Sequence, residues 1–400
     1  MTTLRKLALA MLAGLAIGCR GEPTSDPPSG VAVRDSAGVR IVENDAVQAT
    51  AWQVDAAAVF AVGWDAEGPM FTWPQSGRIL PDGGALIGEF SEGTIYRIAP
   101  DGSVAATWGR KGEGPGEYQA FDAILLHGDS ILVSDGRLRR ITWLSSEGEL
   151  LSTRSKAGGF LHRVSAITDD GRLLLVPGGG YSAVDEIRQE WVFETQPILS
   201  SYPEGSRVDT LAVLPYLRRW YGSRAAPPGA IRVAGAAGGY PGGFAWARAD
   251  RPEVRWFDAS GELTQIARWN EEAEPFTAEF RSRFLDFFAE SAESAGRDEA
   301  SVAAQRMELE ENLDRHDGPL PYWDSFFVDR AGNTWTRRYG LPLNPAGEWR
   351  IVTRDGELLG WIDLPGVVAI LDASDDHVLV ALLGELDVSA VALFPIDKGG

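Results

Sequence analysis

Residues 79–87 read Ile79-Leu80-Pro81-Asp82-Gly83-Gly84-Ala85-Leu86-Ile87, and residues 96–104 read Tyr96-Arg97-Ile98-Ala99-Pro100-Asp101-Gly102-Ser103-Val104. In both, an Asp-Gly step divides two short apolar segments, which is the pattern of two antiparallel strands joined by a tight turn. The turn needs a positive φ, and glycine supplies it without a Cβ to clash. The same pattern recurs along the chain. It returns at Ile124-Leu125-Leu126-His127-Gly128-Asp129-Ser130-Ile131-Leu132-Val133 and at Ile141-Thr142-Trp143-Leu144-Ser145-Ser146-Glu147-Gly148-Glu149-Leu150. Further copies surround Asp170-Gly171, Asp258-Ala259-Ser260-Gly261, Asp329-Arg330-Ala331-Gly332, Asp355-Gly356 and Asp375-Asp376.

Turns near Asp82, Gly128, Asp170, Ala331 and Asp375 fall roughly 40 to 46 residues apart wherever the chain runs uninterrupted, the period of a four-stranded propeller blade. One more blade fits between Asp170 and Ala331, with its outer hairpin at residues 258–261 and its inner strand expected at Phe244-Ala245-Trp246-Ala247. Five blades would leave that hairpin unassigned, and seven would need strands that this loop-rich region is not expected to offer. The fold class expected is therefore all-β: a six-bladed β-propeller with a small helical insertion. A strand around Trp52 to Val54 is expected to pair with the last blade and remove the exposed sheet edge. Fourteen tryptophans suit the wide, flat gaps between blades. The insertion, about residues 275–316, shows as Phe280, Phe284, Phe287 and Phe288 at helical spacing, then Val302, Arg306, Leu309 and Leu313. Thr277 is the expected N-cap, Gly296 separates the two helices, and their apolar faces are expected to pack on the rim of a blade.

Residues 1–19 read MTTLRKLALAMLAGLAIGC, with Arg5 and Lys6 ahead of an apolar run too short to cross a bilayer. Residues 1–18 read as an export signal. Its end, Ala16-Ile17-Gly18-Cys19, resembles the bacterial lipobox, which implies that Cys19 carries lipid. Cys19 is the one cysteine of the chain, so intrachain disulfides, CxxC redox chemistry and multi-cysteine zinc sites are excluded. Residues 19–30, rich in Pro, Ser and Gly, are expected to act as a tether, and residues 31–400 to form the propeller. The expected location is the bacterial cell envelope, lipid-anchored, with Arg20 in place of aspartate after the cysteine favouring the outer membrane facing the periplasm or exterior.

The segment Thr107-Trp108-Gly109-Arg110-Lys111-Gly112-Glu113-Gly114-Pro115-Gly116-Glu117-Tyr118 resembles the NHL-repeat signature. Ile131-Leu132-Val133-Ser134-Asp135 and Arg140-Ile141-Thr142-Trp143 look like its downstream half. With the opening Val33-Arg34-Asp35-Ser36-Ala37-Gly38-Val39-Arg40-Ile41-Val42-Glu43, the chain resembles bacterial six-bladed β-propeller lipoproteins with NHL-like repeats, most of them of unassigned role. The resemblance implies that the Gly112–Gly116 loop is a structural link between blades and not a phosphate cradle.

With 57 acidic against 37 basic residues the chain carries a formal charge of −20, and about −22 without Arg5 and Lys6, so nucleic-acid binding is not expected. Neither G-x-S-x-G nor H-E-x-x-H occurs, and His127, His162, His316 and His377 are scattered. Asp372, Asp375 and Asp376 lack the glycine and terminal glutamate of an EF-hand loop, and Asp329 with Asn333 reads as a capped turn. Cys19 is the one site residue assigned; no catalytic set, cofactor or metal centre is. The sequence favours a binding or scaffold module for a peptide, glycan or protein partner, with a metal-dependent propeller enzyme, lactonase-like hydrolase or lyase, as the alternative.

Overall fold

The computed structural model describes residues 30–45, 52–55, 57–63, 68–158, 162–178, 187–202, 207–221, 230–340, 347–383 and 389–398. Cys19 and most of the expected tether lie outside these residues. Six sheets form six blades around a channel. Blade I comprises Pro74–Ile79, Ala85–Glu89, Thr94–Ile98 and Val104–Trp108. Blade II comprises Phe121–His127, Ser130–Asp135, Arg140–Ser145 and Leu150–Ser155. Blade III is built from His162–Ile167, Leu173–Pro177, Trp191–Ser201 and Val208–Trp220, and blade IV from Gly235–Tyr240, Gly243–Arg248, Glu253–Asp258 and Leu263–Trp269. Blade V holds Trp323–Val328, Thr334–Arg338, Glu348–Val352 and Leu358–Asp363.

Blade VI takes Val367–Ala373, His377–Leu383 and Ser389–Asp397 from the C-terminal end and its outer edge from the N-terminal part. Gln53–Val54 pairs with Asp397 and Ile396, and Phe60–Val62 pairs with Leu393, Ala392 and Val391. The strand expected around Trp52–Val54 thus closes the ring. The earlier hairpin Val31–Ser36 and Val39–Asn44 instead extends blade IV, with Val39–Asn44 pairing in parallel with Leu263–Trp269.

Short polar side chains and glycines make the turns where the sequence placed them. Asp82 Oδ1 accepts from Gly84 N at 2.9 Å, Asp258 Oδ1 accepts from Ser260 N at 2.9 Å, and Gly83 takes a φ of 87°. Of Gly112, Gly114 and Gly116, Gly116 alone takes a positive φ, 72°. Indole rings fill the blade interfaces: Trp335 and Trp349 with Trp52 between blades V and VI, and Trp256, Trp269 and Trp323 between IV and V. Trp256 is fully buried and donates its Nε1 to Gly332 O at 2.7 Å, so its polar atom is satisfied inside the apolar layer.

Two expectations fail. The inner strand of blade IV is Gly235–Tyr240, and Phe244–Ala247 lies in the second strand, Gly243–Arg248. The inner strand reads GAAGGY, and its one large side chain, Tyr240 at the end, cannot by itself reveal a period. Its glycines are steric: a Cβ on Gly238 would lie 2.5 Å from Val328 Cγ2, and one on Gly239 would lie 2.5 Å from Leu174 Cδ2. In addition, the region expected to be rich in loops contains the longest hairpin described, Trp191–Ser201 with Val208–Trp220. Pro197 and Pro215 interrupt its apolar pattern, and register shifts at Glu194/Thr195 and Ile198/Leu199 accommodate them.

The insertion forms α1 (Ala278–Ser294) and α2 (Glu299–Asp314) between blades IV and V. Thr277 caps α1 by accepting from Phe280 N, and Asp298 caps α2 by accepting from Ser301 N. Phe284, Leu285 and Leu313 pack with Ile231 and Leu320, residues that flank the inner strands of blades IV and V. The helices therefore sit on the rim.

Candidate functional site

The inner strands surround a central channel of about 500 Å³. Neighbouring inner strands run in the same direction, held by side chain to backbone bonds: Phe121 N donates to Gln75 Oε1 at 3.0 Å, Ile124 N to Ser76 Oγ at 2.9 Å, and Gly239 N to Ser165 Oγ at 2.8 Å. The channel thus has one mouth where inner strands begin and one where they end. Each blade's outer strand returns to the first mouth. The rim helices, inserted between an outer strand and the next inner strand, lie on that side.

Charged side chains occupy both ends of the lining. Towards the second mouth, Asp372 of blade VI, with 2% of its side chain exposed, is shared by two arginines. Arg78 Nη1 of blade I donates to its Oδ1 at 2.9 Å, and Arg330 Nη2 of blade V donates to its Oδ2. Ile79 N donates to Oδ2 at 2.8 Å. The arginines also reach backbone, Arg78 Nε donating to Ile124 O at 3.2 Å and Arg330 Nη2 to Ile79 O at 2.7 Å. Three blades, VI, I and V, are joined through one carboxylate, and Arg78 carries the link on to blade II. Burial pushes Arg78 below the ordinary arginine range, while Asp372 opposes the shift and Arg330 adds to it.

At the first mouth, Gln75, Asp122 and Arg163 occupy the second positions of the inner strands of blades I, II and III. Asp122 pairs with Lys156 Nζ, whose side chain is fully buried and which also donates to His162 O at 2.7 Å. Arg163 is, among the described residues, the channel-lining cation with neither a hydrogen bond nor an ion pair within 4 Å. Burial pushes it below the usual arginine range, and the charges of Asp122 and Tyr216 counter the shift.

The residues weighed in the sequence do not converge. His162 is buried and bonded through its ring nitrogens to Gly158 O and Pro197 O, both at 2.9 Å. His127 is exposed beside Trp143, His316 packs on Phe276, and His377 lies 2.8 Å from Asp376. Asp372 points into the channel, whereas Asp375 pairs with Lys398 and Asp376 with His377, so the three share no site. Asp329 accepts from Asn333 N and Nδ2 at 2.9 and 2.8 Å and from Trp335 Nε1 at 3.2 Å, the geometry of a capped turn. Among the described residues, no group of three or more His, Cys, Asp and Glu is placed to hold a metal ion. The channel arginines escaped sequence reading; the available signal was a charged residue beside an apolar alternation a few positions from an Asp-Gly turn, as with Arg78 ahead of Asp82.

The fold and channel define a class: a six-bladed β-propeller with an arginine-rich central channel. An exported protein from Bacteroides fragilis matches 89% of this chain over 99% of its own, with 11% identity and a TM-score of 0.52. A member of the DUF4221 family from Bacteroides vulgatus matches 87% of this chain over 99% of its own, with 10% identity and a TM-score of 0.54. These likenesses establish the fold. No family model matches the chain. No curated protein matches it either.

Proposed function

We propose that this chain is an exported, lipid-anchored binding module, held to a bacterial envelope membrane through Cys19, whose central channel receives a small ligand or the end of a peptide or glycan. Export and anchoring rest on the signal ending at Cys19. Two acyl chains hold a protein far more firmly than the marginal binding of one. The observation that carries the binding reading is the channel lining: a cavity of about 500 Å³ that keeps polar groups facing its lumen. Its carboxylates are engaged, Asp122 by Lys156 and Asp372 by Arg78 and Arg330, so they bind cations of the protein itself instead of forming an open donor set for a divalent ion.

Two experiments test this. Metabolic labelling with palmitate is expected to mark the full chain and to fail for Cys19→Ser, which moves to the soluble fraction; labelling that persists in the variant refutes the anchor. Small molecules carried through purification of the full chain are expected to be lost when Ala369→Trp fills the channel. Retention by that variant refutes the channel, and near-stoichiometric calcium or zinc in the purified domain transfers the case to the metal-dependent enzyme.

A further inference from the structure

The channel sits in a chain of charge −20, yet its lining is not acidic in effect. Lys156 offsets Asp122, and Asp372 is matched by two guanidinium groups. Asp329 is buried in its own turn and held by three donors. The charge left over at the first mouth is that of Arg163. An unpaired guanidinium in a confined cavity is costly, because the water it loses on burial is not replaced by a protein acceptor. Such a group calls for an explanation, and a ligand acceptor entering the mouth supplies one. Beside it, across Asp122, Gln75 uses its Oε1 to accept from Phe121 N. Its Nε2 has no acceptor among the described residues, so it too presents donors to the lumen.

Resting on the binding reading above, we infer that the first mouth of the channel recognises a ligand through a single carboxylate, taken by the Arg163 guanidinium with Gln75 as an additional donor. The charge balance selects the ligand class. One free guanidinium presents a planar fork that matches one planar carboxylate. A phosphate dianion would bring a second negative charge next to Asp122 with no further free cation to meet it. Trp73, 59% exposed and part of the same lining, stands one residue before the strand that carries Gln75 and offers an apolar surface for the body of the ligand.

Such a carboxylate can be that of a peptide C-terminus or an acidic sugar, and the probes separate these. Saturation-transfer NMR on the full chain compares acetyl-Ala-Ala with its C-terminal amide, glucuronate with glucose, and inorganic phosphate. At least one carboxylate is expected to bind, with its neutral partner about 10- to 100-fold weaker, the loss of one charge-assisted hydrogen-bonded pair. Arg163→Gln removes the charge while keeping a hydrogen-bonding side chain of similar reach, and is expected to erase that preference with an unchanged circular dichroism spectrum. Overturning results are a preference that survives in Arg163→Gln, equal binding of acid and neutral partner, tighter binding of phosphate, or no carboxylate binding by the wild type. If neutral probes bind, lose binding in Ala369→Trp and ignore Arg163→Gln, the carboxylate inference falls while the channel reading stands. If Ala369→Trp leaves every probe bound, the channel reading itself falls.

Discussion

Replacing Asp372 by asparagine keeps its shape and removes the charge that two arginines share. Its side chain is 2% exposed, Arg78 is 15% exposed and Arg330 is 35% exposed. Removing one partner of a buried ion pair costs about 3–5 kcal/mol, mostly because the remaining charge stays buried without compensation. Arg330 keeps enough water to screen its loss, so Arg78 carries the greater part and the lower end, about 3 kcal/mol, is expected. With a urea slope near ~3 kcal/mol/M for a domain of this size, the unfolding midpoint should fall by about 1 M. The decisive comparison is a triple variant, Asp372→Asn with Arg78→Met and Arg330→Met. It should be more stable than Asp372→Asn alone, because the stranded charges are gone. A loss below about 1 kcal/mol for the single variant, or a triple variant that is no better, would refute the claim that this carboxylate fastens three blades.

Two further predictions concern blade IV. Burial works against the charged form of Glu253, yet Arg268 and Arg255, each bonded to it at 2.6 Å, hold its carboxyl below the ordinary 4.5. A depressed carboxylate stabilises the fold above its unfolded pKa and loses that contribution as pH falls through the folded value. Wild type should therefore exceed Glu253→Gln in denaturant midpoint at pH 7, and the gap should close on acidification below about pH 4.5; a gap constant with pH refutes it. Gly238→Ala should cost about 1–3 kcal/mol through overpacking on Val328, and Val328→Ala should recover part of that loss in a thermal melt. No recovery would place the cost elsewhere.

Local chemistry made much of the architecture readable. Asp-Gly turns, alternation of apolar residues and a constant spacing are properties of neighbouring residues, so blade number, the closing strand near Trp52–Val54 and both helices with the Thr277 cap follow from the sequence. Where the local signal was weak, the reading failed: Gly235–Tyr240 has glycines for close contact with other blades, and Trp191–Trp220 carries prolines inside paired strands. The channel chemistry belongs to the tertiary structure alone. Arg78 and Asp372 meet across 294 residues, and Arg163 gains its meaning from lacking a partner in the company of paired charges. No periodicity encodes that, since it arises when six sheets close into a ring and residues of separate strands and turns come to face one lumen.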